Sequence, residues 1–154
     1  METHIHRNYR HMNTLNNSII IYQPHTDQPA IDVRIEGETV WLSQRQMAEL
    51  FDVDVRTISE HLSNVFSSGE LEKDATIRKF RIVRHEGTRN VTRSVEHYNL
   101  DAIISVGYRV KSATATQFRI WATKRLREYL VQGYSINQQR LEQLGQRLIS
   151  PAAH

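Results

Sequence analysis

Hydrophobic positions along this chain follow two periods, and each change of period marks a change of element. Ile19-Ile20-Ile21-Tyr22 is a short β-rich run closed by Pro24. Ile31-Asp32-Val33-Arg34-Ile35 alternates with period two, the pattern of a strand with one buried face. Glu36-Gly37-Glu38 turns the chain into Thr39-Val40-Trp41-Leu42, so a hairpin is predicted that leads into a helix pair, with Val40 and Trp41 packed on that pair. The period then lengthens. Met47, Leu50 and Phe51 stand at i, i+3 and i+4, and Ile58 and Leu62 repeat the helical spacing. Ser43 with Gln46 reads as a capping box for the first helix. Asp52 stands where the chain must turn, and Asp tolerates a left-handed backbone. Asp54 is a favourable N-cap for the second helix. Ala48 is small where two steeply crossing helices need close approach.

Downstream, Phe66-Ser67-Ser68-Gly69 stops the second helix, with Gly69 as its C-terminal cap. Thr76 to Val83 and Val91 to Tyr98 are strand candidates around the turn-rich Glu86-Gly87-Thr88-Arg89-Asn90. Asn99 or Asp101 caps a short helix, Leu100 to Val106, that Gly107 ends. Ser112 or Thr114 caps a longer one running to about Val131, with Phe118, Trp121, Ala122, Leu126, Tyr129 and Leu130 as its apolar face. Gly133 breaks the chain, and Gln138 to Ile149 forms a last amphipathic helix with Leu141, Leu144 and Leu148 aligned.

Two short helices followed by two strands predict an α+β fold: a winged helix-turn-helix with an N-terminal β-hairpin, followed by a small C-terminal helical segment. The expected organisation is a flexible arm over 1–17, the winged helix-turn-helix domain over 18–98 and the helical segment over 99–150. In a helix-turn-helix the second helix enters the major groove and its N-terminal residues meet base edges. Here Arg56, Thr57, Ser59, Glu60 and His61 take that place. An ordinary helical hairpin in a bundle shows a similar pattern, so the spacing alone leaves both readings open.

Charge adds to the first reading. The net charge is +3, too small to identify a partner, but its distribution is uneven. Arg78, Lys79, Arg81, Arg84, Arg89 and Arg93 crowd the predicted wing, with Glu86 the one acid among them. With Arg45 on the first helix they are the candidates for phosphate contacts, which position a protein without reading sequence. A solvated hairpin kept soluble by arginines is the alternative.

The 154 residues are enough for a real core, and no cysteine is present, so disulfides and thiolate metal sites are excluded. No apolar run is long enough to span a bilayer, and Met1 to Asn17 lacks the apolar core of a signal peptide, so no membrane partner is expected and the cytoplasm is the expected location. His4, His6 and His11 cluster in that arm without a second shell to orient the rings, so no metal and no cofactor are expected. No phosphate-binding loop, metal-binding histidine pair or nucleophile elbow is present, and no catalytic residue is assigned. His85 falls in the wing turn, His97 reads as a structural histidine beside Tyr98, and Glu70, Glu72 and Asp74 read as a solvated acidic linker.

Three stretches carry a family resemblance: Val40 to Leu62 with Phe66 and Gly69-Glu70-Leu71, then Tyr98 to Val110, then Ala115 to Lys124. They resemble the RhuM family of bacterial virulence-associated proteins, found in bacteria and mobile elements, over roughly Ile31 to Leu141. The resemblance implies a DNA-binding protein and supplies no catalytic residues. Family members usually carry glycine where this chain has Asp52, and many are much longer. The Phe118 to Leu130 helix also resembles the Phe-x-x-Trp helix of phage antirepressor-type domains. Relatives joined to Fic-type domains carry a His-Pro-Phe-x-x-Gly-Asn-Gly-Arg motif that is missing here, so adenylyl transfer is not expected.

The leading expectation is therefore a sequence-specific double-stranded DNA-binding regulator, a homodimer, with no enzymatic activity. The alternative is a protein-interaction module, antirepressor-like or virulence-associated, on the same scaffold. Trp121, Tyr129, Leu141, Leu144 and Leu148 are its candidate interface residues.

Overall fold

The computed structural model describes residues 17–149. In chain order they form β1 (Asn17–Tyr22), β2 (Ile31–Glu36), β3 (Thr39–Ser43), α1 (Gln44–Phe51), α2 (Val55–Ser67), the single turn α3 (Lys73–Thr76), β4 (Ile77–Glu86), β5 (Arg89–Asn99), α4 (Leu100–Arg109) and α5 (Ala113–Ile149). The expected arm, with His4, His6 and His11, lies outside the described residues apart from Asn17, which opens β1.

The strands make one antiparallel sheet in the order β1-β2-β3-β5-β4. Alternation decides its two faces. Tyr22 pairs with Ile31, Ile35 with Val40 and Leu42 with Tyr98, which puts these side chains on one face. That face is buried against the helices, where Met47, Leu50, Phe51, Ile58, Leu62, Ile103, Val106 and Phe118 complete the core. The class is α+β, as expected.

β3 meets β5 only over Trp41–Ser43 and His97–Asn99. Beyond that join, β4 and β5 continue together, paired from Ile77↔Tyr98 to Glu86↔Arg89, as a ribbon that leaves the sheet. Gly87 at its tip has φ +65, a left-handed conformation that glycine adopts without penalty.

Two expectations about the helices need correction. Gly107 does not end α4, which runs on to Arg109. It sits buried where a Cβ would lie 2.5 Å from the Ala115 Cβ and 3.0 Å from the Phe51 ring, so it lets α4, α5 and α1 approach. Gly133 does not break the chain either: α5 is one helix of 37 residues, about 55 Å long. Glycine weakens a helix interior by about 1 kcal/mol but does not forbid it. The later helices pack on the same core as α1 and α2. Ala102, Ile103, Val106, Ala115, Phe118 and Ala122 belong to the same buried cluster as α1 and α2. The acidic linker is also partly ordered: Lys73–Thr76 makes a turn of helix and Glu70 pairs with Arg109 at 3.0 Å.

Candidate nucleic-acid interface

The helix pair forms for the reasons its sequence suggests. Ser43 Oγ accepts from the Gln46 amide at 3.2 Å, and the Gln46 side chain accepts from the Ser43 amide at 2.9 Å, closing the capping box. Gln46 also donates to the Asp32 carbonyl at 2.7 Å, tying α1 to β2. Asp52 takes the left-handed conformation, φ 55 and ψ 52, so the turn closes without the usual glycine. Asp54 occupies the N-cap of α2 by backbone geometry, but its side chain makes no capping hydrogen bond.

Burial then divides α2 lengthwise. Ile58, Leu62 and Val65 are locked into the core, and Phe66 stacks on Tyr98 at the root of the ribbon with ring centroids 6.4 Å apart. The other side faces solvent. Arg56, Ser59 and Glu60 are exposed, whereas Thr57 and His61 are half-buried. Arg56 and Glu60 stand 3.7 Å apart as an exposed i,i+4 pair. Such a pair contributes little, so Arg56 is free to exchange Glu60 for another acceptor.

The ribbon divides its basic residues between two faces, which the sequence cluster did not reveal. Register places Arg78, Arg84, Arg89 and Arg93 on one face and Lys79, Arg81 and His85 on the other. Their engagements differ too. Arg93 makes a two-pronged contact with Glu86 at 2.9 and 3.1 Å. Arg78 pairs with Glu36 at 2.6 Å and lies over the Trp41 ring, 5.0 Å from its centroid. Arg78 therefore ties the ribbon root to the sheet instead of standing free for phosphate. Lys79, Arg81 and Arg89 are exposed, as is Arg45 on α1, and Arg84 is half-buried.

Arg78 is part of a cluster that sequence reading missed. On the sheet face away from the helices, Phe80 packs edge-on against Trp41 at 5.8 Å and against His97 at 5.1 Å. Trp41, expected on the helix pair, belongs to this outer face, while Val40 is in the core. Arg34 lies over Phe80 at 4.5 Å. His97 is 2% exposed, with Nδ1 3.0 Å from the Val95 carbonyl. Burial, and then the Arg34 charge, push its pKa below the ordinary histidine value despite that hydrogen bond. The structural reading of His97 fits this place.

The interface candidates separate. Trp121 packs on Tyr22 at 4.8 Å and on Phe118 at 5.6 Å, and Tyr129 also packs against the core. Leu141 and Leu144 are exposed, and the Leu148 side chain lies outside those described. Among the described residues no group of three or more His, Cys, Asp or Glu side chains forms a candidate metal site. A groove of about 370 Å³ between α4 and α5 carries Tyr108, Lys111, Ser112, Thr116 and Arg119, but no carboxylate or imidazole. No described helix is long and apolar enough to cross a membrane.

Residues 75–150 match the model of the Virulence protein RhuM family. The matched stretch includes Tyr98 to Val110 and Ala115 to Lys124; α1 and α2 lie before it. No curated protein matches the chain, and no solved structure matches it. Through its ribbon and the helices α4 and α5, this chain belongs to the virulence protein RhuM family.

Proposed function

We propose that this chain is a double-stranded DNA-binding regulator built as a winged helix, with α2 in the major groove and the β4–β5 ribbon as a basic wing on phosphates. One observation carries the reading: the inner side of α2 is locked into the core while Arg56, Ser59 and Glu60 stay exposed, and a basic ribbon extends from the sheet that backs the same core. Rigid backing with a free polar face is what base readout needs, because a bidentate contact depends on geometry. Arg56 is the guanine reader, Thr57, Ser59, Glu60 and His61 flank it, and Arg45, Lys79, Arg81, Arg84 and Arg89 supply backbone contacts. No enzymatic step is assigned to any residue.

Arg56→Ala is expected to weaken cognate binding by about 1–3 kcal/mol and relax one position of the site. Arg84→Ala with Arg89→Ala is expected to weaken binding to every sequence and lower the salt slope by about 2. Equal losses on cognate and random DNA after Arg56→Ala would remove the base-reading role. The Arg56–Glu60 pair, which leaves the exposed α2 face without net charge, favours a second reading as a protein-docking surface. That reading predicts a partner whose binding survives high salt and no measurable affinity for DNA.

A further inference from the structure

We propose that the outer part of α5 is a self-association seam, on which two copies of this chain pair in parallel and in register.

The continuity of α5 through Gly133 creates the seam. Along one unbroken helix, Leu130, Tyr134, Asn137, Leu141, Leu144 and Leu148 are spaced four, three, four, three and four residues apart. That alternation is the repeat of two helices winding around each other, not the wider stripe of a helix lying on a sheet. The apolar members with described side chains are open to solvent: Leu130 at 44%, Tyr134 at 65%, Leu141 at 63% and Leu144 at 52% exposure. The face of α5 on the body ends with Leu126 and Tyr129. At about 100° per residue, Leu130 lies roughly 80° around the helix from the buried Ala122, which leaves room for a partner helix alongside the body.

Two features select a second copy as the occupant. Asn137 is exposed in the middle of the seam. Its amide carries both donors and an acceptor, so it satisfies itself by meeting another Asn137, as parallel, in-register pairing allows at this layer. Against an apolar surface it would be buried without partners. The seam is also nearly without charge: between residues 130 and 146 only Arg140 and Glu142 are ionised, and they cancel. Like copies therefore meet without repulsion, and a strongly charged partner gains nothing there. Four apolar side chains from each copy, on the order of 80 Å² apiece, bury roughly 600 Å². That is below a standard stable interface, so a weak, reversible dimer is expected.

The chain has no cysteine, which makes single-cysteine cross-linking unambiguous. In parallel register, Leu144→Cys brings its two Cα atoms within disulfide reach, roughly 4.4–6.8 Å. Gln139→Cys, on the opposite side of the helix, is the control. Sedimentation of the full chain without DNA is expected to show a monomer–dimer equilibrium. Leu141→Glu is expected to weaken it at least about tenfold, and Gln139→Glu, with the same added charge off the seam, to leave it unchanged. Oxidation is expected to link Leu144→Cys and not Gln139→Cys. A monomer at about 100 μM, a dimer indifferent to Leu141→Glu, or cross-linking of Gln139→Cys as fast as Leu144→Cys would overturn the proposal. Self-association is measured without DNA, so its failure and the failure of DNA binding are separate results.

Discussion

Gly107→Ala has a sign that distinguishes an open helical position from a close-packing site. At an open helical position, replacing glycine by alanine stabilises by up to about 1 kcal/mol through backbone entropy. At Gly107 the new Cβ would stand 2.5 Å from the Ala115 Cβ and 3.0 to 3.2 Å from two Phe51 ring carbons. Methyl groups rest about 3.5–4.0 Å apart, so α4 and α5 must separate by about an ångström. Overpacking of that kind costs about 1–3 kcal/mol. Set against the gain in helix propensity, the net expectation is a loss of about 0.5–2 kcal/mol. Urea unfolding followed by circular dichroism reads it as a lower midpoint at unchanged slope. Because the clash is with Ala115, Ala115→Gly in the same chain should recover part of the loss, giving a coupling of about 0.5–2 kcal/mol in a double-mutant cycle. Gly133 supplies the internal contrast: nothing lies within 4 Å of its Cβ position, so Gly133→Ala should stabilise by about 0.5–1 kcal/mol. A Gly107→Ala protein as stable as the parent, or more so, would refute the packing role.

The remaining predictions concern the outer face of the sheet and the ribbon. Phe80→Ala should cost about 3 kcal/mol, since Phe80 bridges Trp41, His97 and Arg34; thermal and urea unfolding check this. Acidification should destabilise the protein through His97, whose pKa is lowered in the fold by burial. The unfolded chain takes up a proton as pH falls through about 6.5, and the folded chain resists until lower pH. The contribution is therefore fully present above that value and lost as pH falls through the folded pKa; His97→Gln should flatten the dependence of the urea midpoint between about pH 7.5 and 5. Arg78→Ala should lower stability while changing DNA affinity less than Arg89→Ala does, because Arg78 is occupied by Glu36 and Trp41. Parallel unfolding and binding titrations separate the two effects.

What was legible in the sequence was local. The capping box of Ser43 and Gln46, the left-handed turn at Asp52 and the alternation of Ile31, Val33 and Ile35 each depend on neighbours a few residues away, and each is present. The glycines misled because their meaning depends on distant groups. Gly107 answers to Phe51 and Ala115, and Gly133 to open solvent, but both look like breakers in sequence. The cluster of Arg34, Trp41, Arg78, Phe80 and His97 was invisible for the same reason. These residues come from four strands and share a face only once the register is known. The register also splits the ribbon's basic run across two faces, and Arg78 and Arg93 already have acidic partners.

The most direct test of the DNA-binding reading is selection from a random double-stranded DNA pool by the full chain at two salt concentrations, with sequencing of the bound fraction. An enriched motif is predicted, two-fold symmetric if the α5 seam pairs, with affinity that falls steeply with salt as the free cations of α1 and the ribbon release counterions. An unenriched pool, or no binding at low salt, would contradict it.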